Sequence, residues 1–227
     1  MPARAELDAL QNVVPVMQDW GGPIGSGWAV RNPERVAGFV ILNTWAFVKE
    51  PRIRLPWIYR FLFMGRGGRR RALKRNFPVE AFLLKRGVSS APSEDVKRAY
   101  RAPFPTPAQR VGMAQIPRMI PQTHDTKHPD WATMAAVEDG LADLAHRPAL
   151  ICWAKKDVVF RKPFLDRWVG LFANVDGPHM LPEARHFLQE EAPDAIIDRM
   201  EAWTAKLGTS TGARRGGFRG RDRRAGT

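Results

Sequence analysis

Two short, wholly apolar runs, separated by a sharp turn and a segment of helix length, constrain this chain more than any other feature. Asn12-Val-Val-Pro-Val-Met-Gln18 stops abruptly at Asp19-Trp-Gly-Gly-Pro23, and Val36-Ala-Gly-Phe-Val-Ile-Leu42 follows after the helical segment. Strands apolar on both faces suit a parallel sheet covered on both sides. Pro23 suits a first helical turn, and Asn32-Pro33 ends the helix because the residue before proline avoids the α region. Ile24, Trp28 and the small residues near them are expected to face the strand. Residues 1–45 therefore read as a strand-helix-strand unit.

From 46 to 146 the sequence is rich in aromatics, proline and arginine. Helix-like pieces fall around Leu55 to Phe63, Val79 to Leu84 and Ser93 to Tyr100, with no strong strand. This segment reads as a helical cap inserted into the α/β pattern. The pattern resumes over 147–207: a strand from Pro148 to Trp153, a loop through Asp157, a helix from Pro163 to Phe172, a weak strand near Gly177 to Leu181, a loop bearing His186, and a helix from Pro193 to Leu207. The fold class is α/β with a mostly parallel sheet, and 227 residues with 44% hydrophobic content suffice for one substantial core.

The net charge of +13 raises nucleic acid as a partner, and its distribution argues against that. It concentrates in Arg66 to Arg75, inside the helical insertion, and in the Gly/Arg-rich tail at 208–227. The tail is too poor in apolar residues to offset its ordering entropy, so disorder is expected there. Only Phe218 offers it a stacking ring, and nucleic-acid binding is not expected. No run of about twenty apolar residues occurs and Met1 to Leu10 lacks a signal-peptide pattern, so no membrane partner and a cytoplasmic location are expected. A single cysteine, Cys152, excludes an internal disulfide, and no Cys/His cluster has zinc-ligand spacing. No cofactor or metal is expected. Cys152 lies within Ala149-Leu-Ile-Cys-Trp153 and reads as a buried, inert thiol.

Chemistry is suggested first by Asp19. A carboxylate on a tight strand-to-helix turn sits where helix N–H groups favour negative charge, the geometry of a nucleophile elbow. Small residues are usual two before and two after such a nucleophile; Gly21 fits and Met17 does not. A helix-capping Asp explains this stretch alone equally well. Chain order adds weight: Asp19, then Asp157, then His186 gives nucleophile, acid and base in the α/β-hydrolase order, with Asp157 and His186 each following an expected strand. Among the competing histidines, His124, His128 and His146 fall in or beside the insertion, and His179 lies within the last strand, where a structural role is expected.

Several motifs together resemble the haloalkane dehalogenases. They are Gln18-Asp-Trp-Gly-Gly-Pro-Ile-Gly25, Asn32-Pro-Glu-Arg-Val36, Leu42-Asn-Thr-Trp45, Tyr100-Arg-Ala-Pro-Phe-Pro105 and His186-Phe-Leu-Gln-Glu-Glu-Ala-Pro193. The resemblance runs from about Leu7 to Trp203. It implies a partial α/β-hydrolase fold, the C-terminal half of a mostly parallel sheet, with a helical cap. The partners it implies are a small halogenated organic substrate, water and halide. Asp19 would attack the halogen-bearing carbon, Trp20 would bind the halide through its indole N–H and the oxyanion through its backbone N–H, and His186 with Asp157 would activate water. The family places its acid after either of two strands; the earlier position here is Asn43, which points to Asp157.

Other features depart from the family. No His-Gly pair occurs, so the loop carrying His-Gly-x-Pro, with its second oxyanion donor and frequent halide-binding Asn, is not found. This leads to the expectation of a truncated chain, weakly active or inactive alone, with Asn12 to Gln18 as an edge strand exposing Val13, Val14, Val16 and Met17. Pro15 is tolerated best on such an edge. Arg185, before the base, is expected to oppose protonation of His186 by like-charge repulsion. Two alternatives stay open: an epoxide hydrolase of the same fold, drawing on Tyr59 or Tyr100, and a non-catalytic fragment with a basic nucleic-acid-binding tail.

Overall fold

A computed structural model describes residues 10–50, 53 and 57–212, without the side chains of 82 and 208–212. Its four strands are β1 (Val16–Asp19), β2 (Phe39–Thr44), β3 (Ala149–Ala154) and β4 (Val175–Leu181). They pair in the order β1-β2-β3-β4, all parallel. Side chains alternate between two cores as a pleated sheet requires. Phe39, Ile41, Ala149, Ile151 and Trp153 enter one cluster with Leu141 and Trp168. Val40, Leu42, Leu150, Cys152 and Ala154 enter another with Leu188, Ile196 and Trp203. Every residue of β2 and β3 is buried, which is why these runs carry no polar alternation.

β1 is the edge of this sheet among the described residues, and Pro15 sits just ahead of it, its carbonyl accepting Val40 N–H at 3.0 Å. The exposure expected along this edge is only partly found. Val16 is 52% exposed, whereas Met17 is 1% exposed and Val13 and Val14 are half-buried. Met17 is covered because Gly25 of the next helix leaves room for its sulfur: a Cβ at Gly25 would lie 2.8 Å from Met17 Sδ. That helix, α1 (Gly21–Arg31), buries Gly22, Pro23, Ser26, Gly27 and Ala29. Ile24 turns outward at 69% exposure, contrary to expectation, because the small residues bring the helix backbone close to the sheet and leave no width for a branched side chain.

Between β2 and β3 the described residues contain no strand. The helices are α2 (Trp57–Phe63), α3 (Gly65–Arg75), a π-helix (Pro78–Arg86), α4 (Glu94–Arg101), α5 (Val111–Gln115) and α6 (Trp131–Gly140), with short 3-10 turns. The basic run is thus helical, with Arg66, Arg69, Arg70, Lys74 and Arg75 exposed to solvent. Glu138 of α6 is buried and accepts the backbone N–H groups of Val48 and Lys49 at 2.8 Å each, fixing the last helix of this region to its entry. The π-helix packs Val79, Leu83 and Leu84 around Phe187, beside the expected base.

After β3 come α7 (Lys162–Leu171), β4, the short α8 (Leu188–Glu191) and α9 (Pro193–Gly212), which runs past the expected end at Leu207. Most of the Arg/Gly-rich tail, 213–227, lies outside the described residues. No helix among the described residues is long and apolar enough to cross a membrane.

Candidate active site

The sheet's C-terminal edge gathers the three expected residues. Asp19 ends β1 with φ at +48°, a left-handed conformation that a non-glycine residue adopts only when its surroundings impose it. They do so from two sides. Thr44 of β2 hydrogen-bonds through its hydroxyl to the Asp19 carbonyl. Gly22 lies so near that strand that a Cβ there would meet Thr44 Oγ1 at 2.1 Å and the Trp45 carbonyl at 2.2 Å. Gly21, the expected small position, has no such constraint, its nearest neighbour being Met17 Cβ at 3.9 Å. The close approach therefore falls one residue later than the motif suggests. The helix-capping alternative for Asp19 is not met: Trp20 is the N-cap residue of α1, and no side chain caps it by hydrogen bonding.

His186 stands between two carboxylates. Its Nδ1 is 3.0 Å from Asp157 Oδ2, and its Nε2 is 3.8 Å from Asp19 Oδ2. Asp157 and His186 are buried, while the Asp19 side chain is 37% exposed and open to a reactant. Asp157 also accepts the Val159 N–H at 2.7 Å, which fixes its carboxylate. Phe160 stacks on the imidazole at 5.7 Å and Phe187 meets it edge-on at 4.8 Å. The Gln18 side chain donates to the His186 carbonyl at 3.0 Å, tying β1 to the histidine loop.

Burial disfavours the imidazolium, yet the hydrogen bond to Asp157 and the negative charges of Asp157 and Asp19 outweigh it and raise the His186 pKa to about 9. Arg185 does not oppose this as expected. Its guanidinium turns away to the Arg86 and Val88 carbonyls at 3.5 Å, so the two carboxylates govern the imidazole. None of the other histidines approaches Asp19 in this way. His124 and His146 are exposed, His128 bonds the Arg118 carbonyl at 3.0 Å, and His179 bonds Asp176 at 2.7 Å.

Asn43 occupies the alternative acid position and has another task. It is fully buried, donates to the Ala154 carbonyl at 3.2 Å and accepts the Ala154 N–H at 2.7 Å, stitching the ends of β2 and β3 together. Trp20 packs edge-on against Trp45, with centroids 5.0 Å apart. Tyr59 belongs to the epoxide hydrolase alternative; its phenol pKa is raised by burial and by the negative charge of Asp19, which puts it within electrostatic reach of that carboxylate. The other candidate phenol, Tyr100, instead donates to Glu190 at 2.5 Å. Cys152 is buried, and burial raises its thiol pKa to about 11, so it is a poor nucleophile. Among the described residues no group of three or more His, Cys, Asp or Glu is placed to hold a metal ion.

The alpha/beta hydrolase family matches residues 3–199. The chain belongs to that family. It is 37% identical over 190 residues to haloalkane dehalogenase 2 of Mycobacterium tuberculosis, covering 80% of this chain and 62% of that protein. It is 31% identical over 208 residues to a cis-3-alkyl-4-alkyloxetan-2-one decarboxylase of Shewanella oneidensis, covering 89% of this chain and 63% of that protein. The chain thus spans somewhat over three-fifths of the length of these relatives. Among solved structures, the haloalkane dehalogenase DbeA of Bradyrhizobium elkani shares the fold at a TM-score of 0.78 and 23% identity, covering 91% of this chain and 71% of the other. DatA of Agrobacterium tumefaciens aligns at a TM-score of 0.74 and 25% identity, covering 88% and 68%.

Proposed function

We propose that this α/β-hydrolase cleaves carbon–halogen bonds, with Asp19 as nucleophile, His186 as base and Asp157 as the acid that orients it. The observation that carries the reading is one imidazole bridging a buried carboxylate and a second, solvent-accessible carboxylate held on a strained elbow. An Asp19 oxygen attacks the halogen-bearing carbon, the carbon–halogen electron pair leaves with the halide, and an alkyl ester remains on Asp19. In this reading the Trp20 indole N–H donates to the departing halide. Esterification removes the Asp19 charge, and with it part of what holds the proton on His186. The imidazole then releases that proton to solvent and takes one from water attacking the ester carbonyl. The backbone N–H of Trp20, at the positive end of α1, stabilises the oxyanion. The C–O bond to the alkyl group's oxygen breaks, that oxygen leaves as the alcohol with the second proton of the attacking water, and the Asp19 carboxylate returns beside a protonated His186. The substrate is a small halogenated alkane, as the name of the Mycobacterium tuberculosis relative suggests.

A second reading draws on Tyr59. A neutral phenol near the nucleophile donates a proton to a departing oxygen, which suits a strained ring such as an epoxide or the four-membered oxetanone named for the Shewanella oneidensis relative. Chloride or bromide release, diol formation and carbon dioxide release distinguish these outcomes on one panel of substrates. Asp19→Asn should remove steady-state turnover of any of them, because an amide is a poor nucleophile at carbon. Sustained product release by a variant shown by intact mass to retain the amide would refute the assignment.

A further inference from the structure

We propose that the indole N–H of Trp45 is a second halide donor, acting beside that of Trp20. This rests on the carbon–halogen reading above and gives a role to Trp45, which the Leu42-Asn-Thr-Trp45 motif contains but to which no task was assigned. Trp45 follows β2, is 3% exposed, and its Nε1 is buried without a hydrogen-bond partner among the described residues. Buried indole N–H groups usually find an acceptor, and leaving one unpaired costs roughly 1–3 kcal/mol. Neighbouring tryptophans follow that rule: Trp153 donates to the Phe160 carbonyl at 3.3 Å and Trp168 to the Thr44 carbonyl at 3.0 Å. Trp45 is the exception at the site itself.

Its ring is bracketed by the chemistry. Trp20, next to the nucleophile, meets it edge-on at 5.0 Å and 75°, and Phe160 stacks on it at 5.3 Å and 20°. That same Phe160 stacks on His186. The Trp45 carbonyl also forms the wall against which Gly22 of the elbow is pressed. An unpaired donor among aromatic walls suits a large, weakly hydrated anion, which loses little on leaving water and gains a charge-assisted hydrogen bond. Trp131 on α6 holds another buried indole N–H unpaired among the described residues, but the rings that meet Trp20, Phe160 and His186 there are those of Trp45, Phe164 and Phe187 and not its own. The competing account of Trp45 is an N–H directed at the face of the Trp20 ring, a weaker contact that needs no anion.

Bromide titration of the full chain, followed through its ¹⁵N-labelled indole resonances at constant ionic strength, separates these accounts. Trp20→Phe, Trp45→Phe and Trp131→Phe assign the resonances by loss. The Trp20 and Trp45 signals should both move with one Kd. Trp45→Phe keeps an aromatic ring against Phe160 and should weaken bromide about tenfold or more, the value of a hydrogen bond to a charged group. If the Trp20 signal moves while Trp45 stays still, or if Trp45→Phe leaves Kd within twofold, the Trp45 role is refuted and carbon–halogen cleavage stands. If no indole signal moves at molar bromide and no halogenated substrate alkylates Asp19, both readings fail. Should Trp45→Phe lose its near-UV dichroism, the wild-type titration decides alone: two moving indoles, neither of them Trp131, support the role, and a single one refutes it.

Discussion

Gly22→Ala probes the elbow most directly, because its consequence follows from distances rather than motif. The added methyl would lie 2.1 Å from Thr44 Oγ1 and 2.2 Å from the Trp45 carbonyl oxygen, where ordinary contact begins near 3.4 Å. One of these atoms belongs to backbone, so a rotamer change cannot relieve the overlap; α1 and the end of β2 must separate by roughly an ångström. Overpacking of this kind costs about 1–3 kcal/mol. Loss of the Thr44 hydroxyl bond to the Asp19 carbonyl adds about 1 kcal/mol. Together these lower Tm by roughly 4–16 °C for a domain of this size. The same shift displaces Asp19 from His186, and about an ångström of misplacement costs on the order of a hundredfold in rate. Gly21→Ala is the control, since its methyl meets nothing closer than 3.9 Å. Thermal unfolding followed by circular dichroism, with adduct formation on Asp19 by intact mass, measures both effects. A Gly22→Ala protein as stable as wild type, or a Gly21→Ala protein damaged more than it, would refute the steric argument.

Three further outcomes follow from the site and its supports. His186→Ala should permit alkylation of Asp19 but block ester hydrolysis, so intact mass should show a persistent adduct; unchanged multiple turnover would remove His186 from the mechanism. The folded His186 pKa, raised from 6.5 to about 9, makes its stabilising contribution fully present below about pH 6.5 and lost as pH climbs through 9. Denaturant unfolding of wild type should therefore weaken across that window more than that of His186→Ala, and parallel pH profiles would contradict the coupling. Glu138→Ala strips the buried Val48 N–H and the part-buried Lys49 N–H of their acceptor and should cost about 1–3 kcal/mol by urea unfolding, with Glu138→Gln recovering part of it; a change below about 0.5 kcal/mol would argue against this anchor.

Local chemistry written into consecutive residues was enough to determine the parallel α/β frame. The apolar runs of β2 and β3 carry their own burial on both faces, and Asn32-Pro33 carries the end of α1, so neither needs a distant partner to be recognised. Asp19, Asp157 and His186 were legible for a related reason, each standing where a recognisable strand runs out. Tertiary structure alone decided which neighbours those residues meet. Gly22 rather than Gly21 bears the close approach because β2, brought alongside by sheet pairing, presses there. Asn43 reads as a failed acid until Ala154, 111 positions away in sequence, supplies both halves of its hydrogen-bond pair. Arg185 looks like a repulsive charge until the carbonyls of Arg86 and Val88 draw it aside. Trp45 stands in a recognisable motif and Tyr59 in an alternative reading, yet neither has a local sign of its task, since an aromatic in an apolar run is equally a core residue. Periodicity and turn chemistry act over a few residues and survive in the sequence; contacts across the sheet and between the helices of 57–140 and the sheet depend on packing that no single segment encodes.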